Sequence, residues 1–139
     1  MGGKHRIAKD IVKILRTHRK LGQLYIEPFV GGGSVISLMD GEREASDFHY
    51  ELIEMYKAIQ NGWIPPYTIT KDMYQKIRGS DDDPALKGFV GFFHSWGGKY
   101  FGGYIGEKSD GRVRMGEGYR YILKKTDTMK NVHFKHCNY

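Results

Sequence analysis

Three consecutive glycines, Gly31-Gly32-Gly33, constrain the fold of this 139-residue chain more than any other feature. They follow the β-prone run Leu24-Tyr25-Ile26 and precede the apolar run Val35-Ile36-Ser37-Leu38. That order predicts a strand, a tight glycine turn and then a helix. A glycine turn between a first strand and a helix lets a ligand lie against the backbone, with amide N–H groups facing it. An acidic residue about 20 positions on, ending a second strand, can then hydrogen-bond ribose hydroxyls. Asp47, which closes the short apolar-to-polar stretch Ala45-Ser46-Asp47, lies 20 residues after Glu27 and fits that role. Together these features specify a nucleoside-containing ligand but not which one. Taken alone, such a triplet is more often a simple turn.

The rest of the chain alternates helical and extended patterns, which implies an α/β domain with a mostly parallel sheet. Residues 6–19 carry Ile7, Ile11, Val12 and Leu15 at helical spacing, and Gly22 closes that helix. A helix over 51–60 places Leu52, Tyr56 and Ile59 on one face, and Asn61-Gly62-Trp63-Ile64-Pro65-Pro66 breaks it. Thr70 is positioned to cap a short helix running to Arg78. Asp83 as N-cap with Pro84 in the first turn starts another, with Leu86, Phe89, Val90, Phe93 and Trp96 along one side. From Gly97 to Gly118 the chain is rich in glycine and tyrosine and has no clear period. A helix over about 117–130 and a strand at Val132-His133-Phe134 complete the pattern.

The composition narrows the partners. A formal charge of +6 suits a polyanion, and seven of the 22 basic residues fall within the first 20 positions. A second basic run spans Lys99 to Lys130, including Lys108, Arg112, Arg114, Arg120, Lys124 and Lys125. A solvated basic face accounts for charge clustering equally well. Cys137 is the single cysteine, so no internal disulfide forms and a reducing, cytoplasmic setting is expected. No apolar run approaches the roughly 20 residues of a membrane span. The basic start Met1-Gly2-Gly3-Lys4-His5-Arg6 has no apolar signal core after it, and Arg6 stands where a myristoylation signal needs Ser or Thr.

The spelling of the turn separates the candidate cofactors. A dinucleotide fingerprint would place glycine at 36, where the chain has Ile36, which disfavours a nucleotide-dependent oxidoreductase. No Gly-x-x-x-x-Gly-Lys-Ser/Thr occurs. Glu27-Pro28-Phe29-Val30-Gly31-Gly32-Gly33-Ser34-Val35 instead resembles the methyl-donor loop of the Dam-type DNA adenine-N6 methyltransferases, particularly phage and prophage members. Gly2-Gly3-Lys4 resembles that family's N-terminal element. The stretch from Ser46-Asp47-Phe48 through Glu51 to Ile59 is similar to its second element. Gly88 to Phe93 and Gly97-Gly98-Lys99-Tyr100-Phe101-Gly102-Gly103-Tyr104 resemble its DNA-contacting region. Phe134 to Tyr139 is similar to the third strand and the turn that meets the donor's adenine.

The resemblance implies a Rossmann-like methyltransferase fold, S-adenosylmethionine as cofactor, and double-stranded DNA as the partner methylated at adenine N6. It implies donor contacts from Lys4, Glu27, Phe29, Gly31, Gly33, Asp47 and Phe48, with Lys4 pairing the donor's carboxylate and Asp47 its ribose. DNA contacts would come from Lys99, Tyr100, Tyr104, Arg112 and Arg114. In this scheme residues 1–65 are the cofactor-binding part, 66–130 the DNA-recognition insertion, and 131–139 the return to the sheet.

The family's catalytic Asp-Pro-Pro-Tyr, which orients the adenine amine and stacks on the flipped base, is absent from these residues. Ile64-Pro65-Pro66-Tyr67 lacks the acid, and Asp83-Pro84-Ala85-Leu86 lacks the aromatic ring. The expectation is an inactive N-terminal portion, incomplete before the catalytic motif and lacking the strand that would pair with the first one. A C-terminal half or a second chain would then supply the rest, the further alternative being a decayed prophage remnant. The alternative is a non-enzymatic nucleic-acid-binding module or regulatory subunit that retains the fold. His133, His136 and Cys137 do not make a four-ligand zinc site, because one cysteine and no second ligand cluster are present.

Overall fold

The computed structural model describes residues 4–106 and 116–138. Gly2, Gly3, Lys108, Arg112, Arg114 and Tyr139 lie outside the described residues. A 3-10 turn over Lys4–Arg6 leads into α1, Ala8–His18. Helix α1 buries Ala8 and Val12 and leaves its basic residues outward. Strand β1 is Tyr25–Glu27 and β2 is Arg43–Asp47. Helices α2 (Tyr50–Gln60), α3 (Lys71–Arg78), α4 (Pro84–Phe93) and α5 (Glu117–Asp127) follow, and then β3, Val132–His136.

The three strands form one parallel sheet in the order β1-β2-β3. Tyr25 pairs with Arg43 and Glu27 with Ala45, while Arg43 also pairs with Val132 and Asp47 with His136. β2 is therefore central, and the strand that ends on Asp47 is longer than the three residues expected from sequence. The sheet, five helices and parallel pairing agree with the expected α/β class and are compatible with a Rossmann-like arrangement.

Two expectations are corrected. After the glycine turn the chain makes only a 3-10 turn, Ile36–Leu38, in place of a helix. Ile36 is β-branched, the Ser37 hydroxyl bonds back to the Ser34 carbonyl at 3.3 Å, and Met39 is already extended. Trp96 does not continue the α4 stripe. His94 ends the helix, and Trp96 sits in the following turn with 75% of its surface exposed. The caps read from sequence form as expected: the side chains of Thr70 and Asp83 accept from the backbone N–H groups of Met73 and Leu86.

The main core joins segments that the sequence divides. Leu52, Ile53, Met55 and Tyr56 of α2 meet Ile69, Tyr74, Phe89, Val90 and Phe92, with Val132 and Phe134 of β3 behind them. Tyr56 stacks on Phe134 with centroids 4.8 Å apart. Helices α2 and α4 touch backbone to backbone at Gly88, where a Cβ would lie 2.1 Å from the Glu51 carbonyl oxygen. A smaller cluster of Ala8, Val12, Val35 and Met39 attaches α1 to the turn after the glycines. The described residues of 66–130 thus share one core with those of 1–65. Among the described residues, no helix is long and apolar enough to cross a membrane.

His94 lies inside this core with 4% of its surface exposed, beside the Phe89 ring and close to Gly118. Burial pushes its pKa down to about 4 from 6.5, so the folded protein holds the neutral ring. The unfolded chain takes up a proton below about pH 6.5 that the folded chain refuses until about pH 4, so stability is lost as pH falls through that window. The expected loss is roughly 3 kcal/mol. Urea midpoints at pH 7 and pH 4.5 should show a smaller difference for His94→Leu than for the parent. Equal differences would refute the assignment.

Candidate functional site

The glycine turn follows β1 after Pro28, Phe29 and Val30, and each of its carbonyls is taken by the protein. The Tyr56 hydroxyl donates to the Gly31 carbonyl at 2.9 Å, and Lys125 Nζ to that of Gly32 at 2.7 Å. The Ser37 N–H donates to that of Gly33 at 3.2 Å. A trans peptide points its N–H opposite to its carbonyl. The N–H groups of Gly32 and Ser34 are therefore turned away from Tyr56 and Ser37, and both residues line a cavity. Gly31 and Gly33 have φ of 47° and 64°, a region L side chains rarely adopt.

Asp47 anchors the turn from the neighbouring strand. Its Oδ2 accepts from the Gly31 N–H at 2.9 Å and its Oδ1 from the His49 N–H at 3.1 Å. The carboxylate is buried at the end of β2, and the Val30 N–H reaches the Ser46 carbonyl at 2.9 Å beside it. Parallel pairing of β1 with β2 is what brings these residues side by side, although they are 16 positions apart.

The cavity has a volume of about 590 Å³, within the range of small-ligand sites. Of the seven expected donor contacts, Lys4, Glu27, Phe29, Gly31 and Asp47 line it. Gly33 does not; it is buried behind the turn, where a Cβ would sit 3.0 Å from Met129 Sδ. Phe48 does not line it either, and 61% of its surface is exposed. Lys99 and Tyr100, expected at DNA, line this same cavity. Tyr104 is placed elsewhere: its hydroxyl donates to the Ile69 carbonyl at 2.6 Å and its ring lies beside Tyr74.

Sequence reading missed an aromatic wall. His49, at the N-cap of α2, lies 5.0 Å from Phe92 and 5.3 Å from Tyr100 between ring centroids, and all three line the cavity. These residues come from three separate elements, so no local pattern announces them. Glu27 also lines the cavity, and burial raises its carboxyl above the usual range. Lys4, the Ile36 backbone, Tyr25 and Lys125 oppose that shift. Burial and the nearby Glu51 carboxylate likewise push the Tyr100 hydroxyl upward. The cavity thus offers cations at Lys4 and Lys99, two acids, backbone N–H groups and a flat aromatic face. That set suits a zwitterionic ligand carrying a nucleoside.

No group of three or more His, Cys, Asp or Glu side chains able to hold a metal occurs among the described residues. His136 Nε2 instead contacts the Phe48 carbonyl oxygen at 3.0 Å. The model of one protein family, described as D12 class N6 adenine-specific DNA methyltransferase, matches residues 1–94. No curated protein matches the chain significantly.

The double acceptance by Asp47 makes a direct prediction. Asp47→Ala leaves the Gly31 and His49 N–H groups without their acceptor and should lower stability by about 1–3 kcal/mol. Chemical denaturation measures this, and an unshifted midpoint would show that Asp47 does not anchor the turn.

Proposed function

This chain belongs to the D12 class N6 adenine-specific DNA methyltransferase family, and we propose that its cavity of about 590 Å³ holds S-adenosylmethionine. The family implies adenine methylation in DNA; the donor site on this chain is our reading. The observation that carries it is the convergence of Lys4, Glu27, Phe29, Gly31 and Asp47 on one cavity beneath the glycine turn. A sulfonium donor supplies an activated methyl group when bound. The residues around it bind and orient.

In this reading the exposed Lys4 ammonium pairs the donor's carboxylate, and Glu27, screened from water, faces its ammonium group. Asp47 keeps free lone pairs after accepting two backbone N–H groups, and these are available to ribose hydroxyls. Phe29 and the His49–Phe92–Tyr100 wall exclude water from the apolar parts of the ligand. Gly33 serves the turn's conformation and its packing on Met129. Phe48 flanks the site from outside through its position after Asp47.

Double-stranded DNA is the proposed second partner. Residues 66–130 are assigned to its recognition, with Lys99 at the cavity rim and Arg112 and Arg114 meeting the phosphates or base edges. Within this segment Tyr100, which lines the cavity, is assigned to the junction with the donor site, whereas Tyr104, whose hydroxyl donates to the Ile69 carbonyl, is assigned to supporting the fold. The transfer step itself is assigned to none of these residues, because Asp-Pro-Pro-Tyr does not occur among them. The proposed activity of this chain is donor binding and DNA contact.

Two measurements test the reading. Calorimetric titration with S-adenosylhomocysteine should show saturable one-to-one binding, while NAD should show none; binding of NAD alone would refute a methyl-donor site. Affinity for duplex DNA should fall steeply and linearly on a log–log plot against salt concentration, as counterion release requires. A flat dependence would return the basic residues to a solvated surface, and DNA binding without donor binding would favour a non-enzymatic nucleic-acid module.

A further inference from the structure

Lys125 stands near the C-terminal end of α5, 93 positions from Gly32 and beyond the family-matched residues 1–94. Its Nζ donates to the Gly32 carbonyl at 2.7 Å, lies 3.5 Å from Ser34 Oγ, and also bonds the Tyr121 hydroxyl one turn earlier in the helix. The Tyr121 ring centroid is 4.5 Å from the same ammonium. An ammonium has three donors, and these three partners use them. The side chain is therefore held, with its charge half-buried against the back of the turn.

The peptide that Lys125 grips is the middle one of the turn. It joins Gly32 to Gly33, and its N–H donates to the Val30 carbonyl at 2.8 Å. Glycine on both sides gives that peptide unusual freedom to rotate. A rotation would break the Val30 bond and swing a carbonyl toward the cavity, disturbing the Gly32 and Ser34 N–H groups on either side. A charge-assisted bond is about twice as strong as a neutral one, so the Lys125 bond outweighs the neutral Gly33–Val30 bond on the same peptide. Met129, just past α5, fills the space against Gly33. Both restraints come from the end of the segment assigned to DNA recognition, not from the sheet.

We propose that Lys125 is a positioning residue for the methyl-donor loop: it fixes the Gly32–Gly33 peptide and so sets donor affinity without touching the donor. The inference rests on the reading of the cavity as the donor site. It goes beyond that reading by making α5 a structural determinant of the site. Lys125 is also among the positive charges that oppose the rise of the Glu27 carboxyl, so its field reaches the cavity.

The test compares the full chain with Lys125→Met, which keeps the stem and loses the charge, and with Lys125→Arg, which keeps a cation. Two readouts are taken: S-adenosylhomocysteine affinity by calorimetry, and amide hydrogen exchange of residues 31–34 without ligand. Lys125→Met should weaken binding by about five-fold or more and speed exchange in the turn, while amides of α2 and α4 exchange as before. Lys125→Arg should recover most of the affinity. Parent-like affinity in Lys125→Met, or an Arg variant as weak as the Met variant, would overturn the proposal. If the parent chain itself binds no S-adenosylhomocysteine, the donor reading fails and the exchange readout decides: unchanged exchange in Lys125→Met overturns the positioning role, and faster exchange confined to the turn upholds it.

Discussion

The buried carboxylate of Asp47 is the interaction on which the site depends. It ends the central strand, accepts from the Gly31 and His49 N–H groups, and thereby joins the glycine turn to the start of α2. A carboxylate removed from water is costly unless its oxygens are bonded, and the two backbone donors meet that requirement. They also fix two pieces of chain relative to each other. This link ties the turn to β2 as well as to β1, which among the described residues is an edge strand of three residues. The cavity exists because the floor, Asp47, and the lip, Gly31-Gly32, are held at hydrogen-bond distance.

Around that link the chain uses its polar groups sparingly and mostly on backbone. Tyr56, buried in the main core, spends its hydroxyl on the Gly31 carbonyl. Arg43, at the start of β2, reaches the carbonyls of Ile36 and Thr128, each at 3.0 Å, and so ties the turn after the glycines to the end of α5. Gln60 closes the loop before β3 through the Met129 and Val132 carbonyls. These bonds all end on backbone carbonyls, and those of Ile36 and Met129 also accept from the Met39 and Val132 N–H groups. The result is that β1, β2, α2 and α5 all contribute to the shape of one short turn.

Much of the site was legible because it is local. The glycine triplet, the acid at the end of the second strand, and the Thr70 and Asp83 caps depend on backbone requirements that only a few residue types meet. Lys4, Glu27, Phe29, Gly31 and Asp47 line one cavity. The failures share a cause. The helix expected after the turn gave way to a 3-10 turn because burial of Val35 and Met39 against α1, and of Ile36 in the main core, outweighs local helical pattern. Tyr100 and Tyr104, four positions apart, part company: one walls the cavity and the other is spent on Ile69. Spacing cannot reveal which of two tyrosines meets a buried carbonyl.

The sequence by itself determined the parallel α/β class, the glycine turn and its acid, the helix caps, and the family to which they belong. Those features rest on short-range sterics and on hydrophobic period, both of which are properties of neighbouring residues. Tertiary structure alone decided that His49 and Phe92 complete the cavity wall, that Gly33 faces Met129 in place of a ligand, and that Lys125 holds the turn from 93 positions away. These are contacts between elements distant in sequence. They exist only once α2 meets α4 across Gly88 and α5 returns the chain to β3.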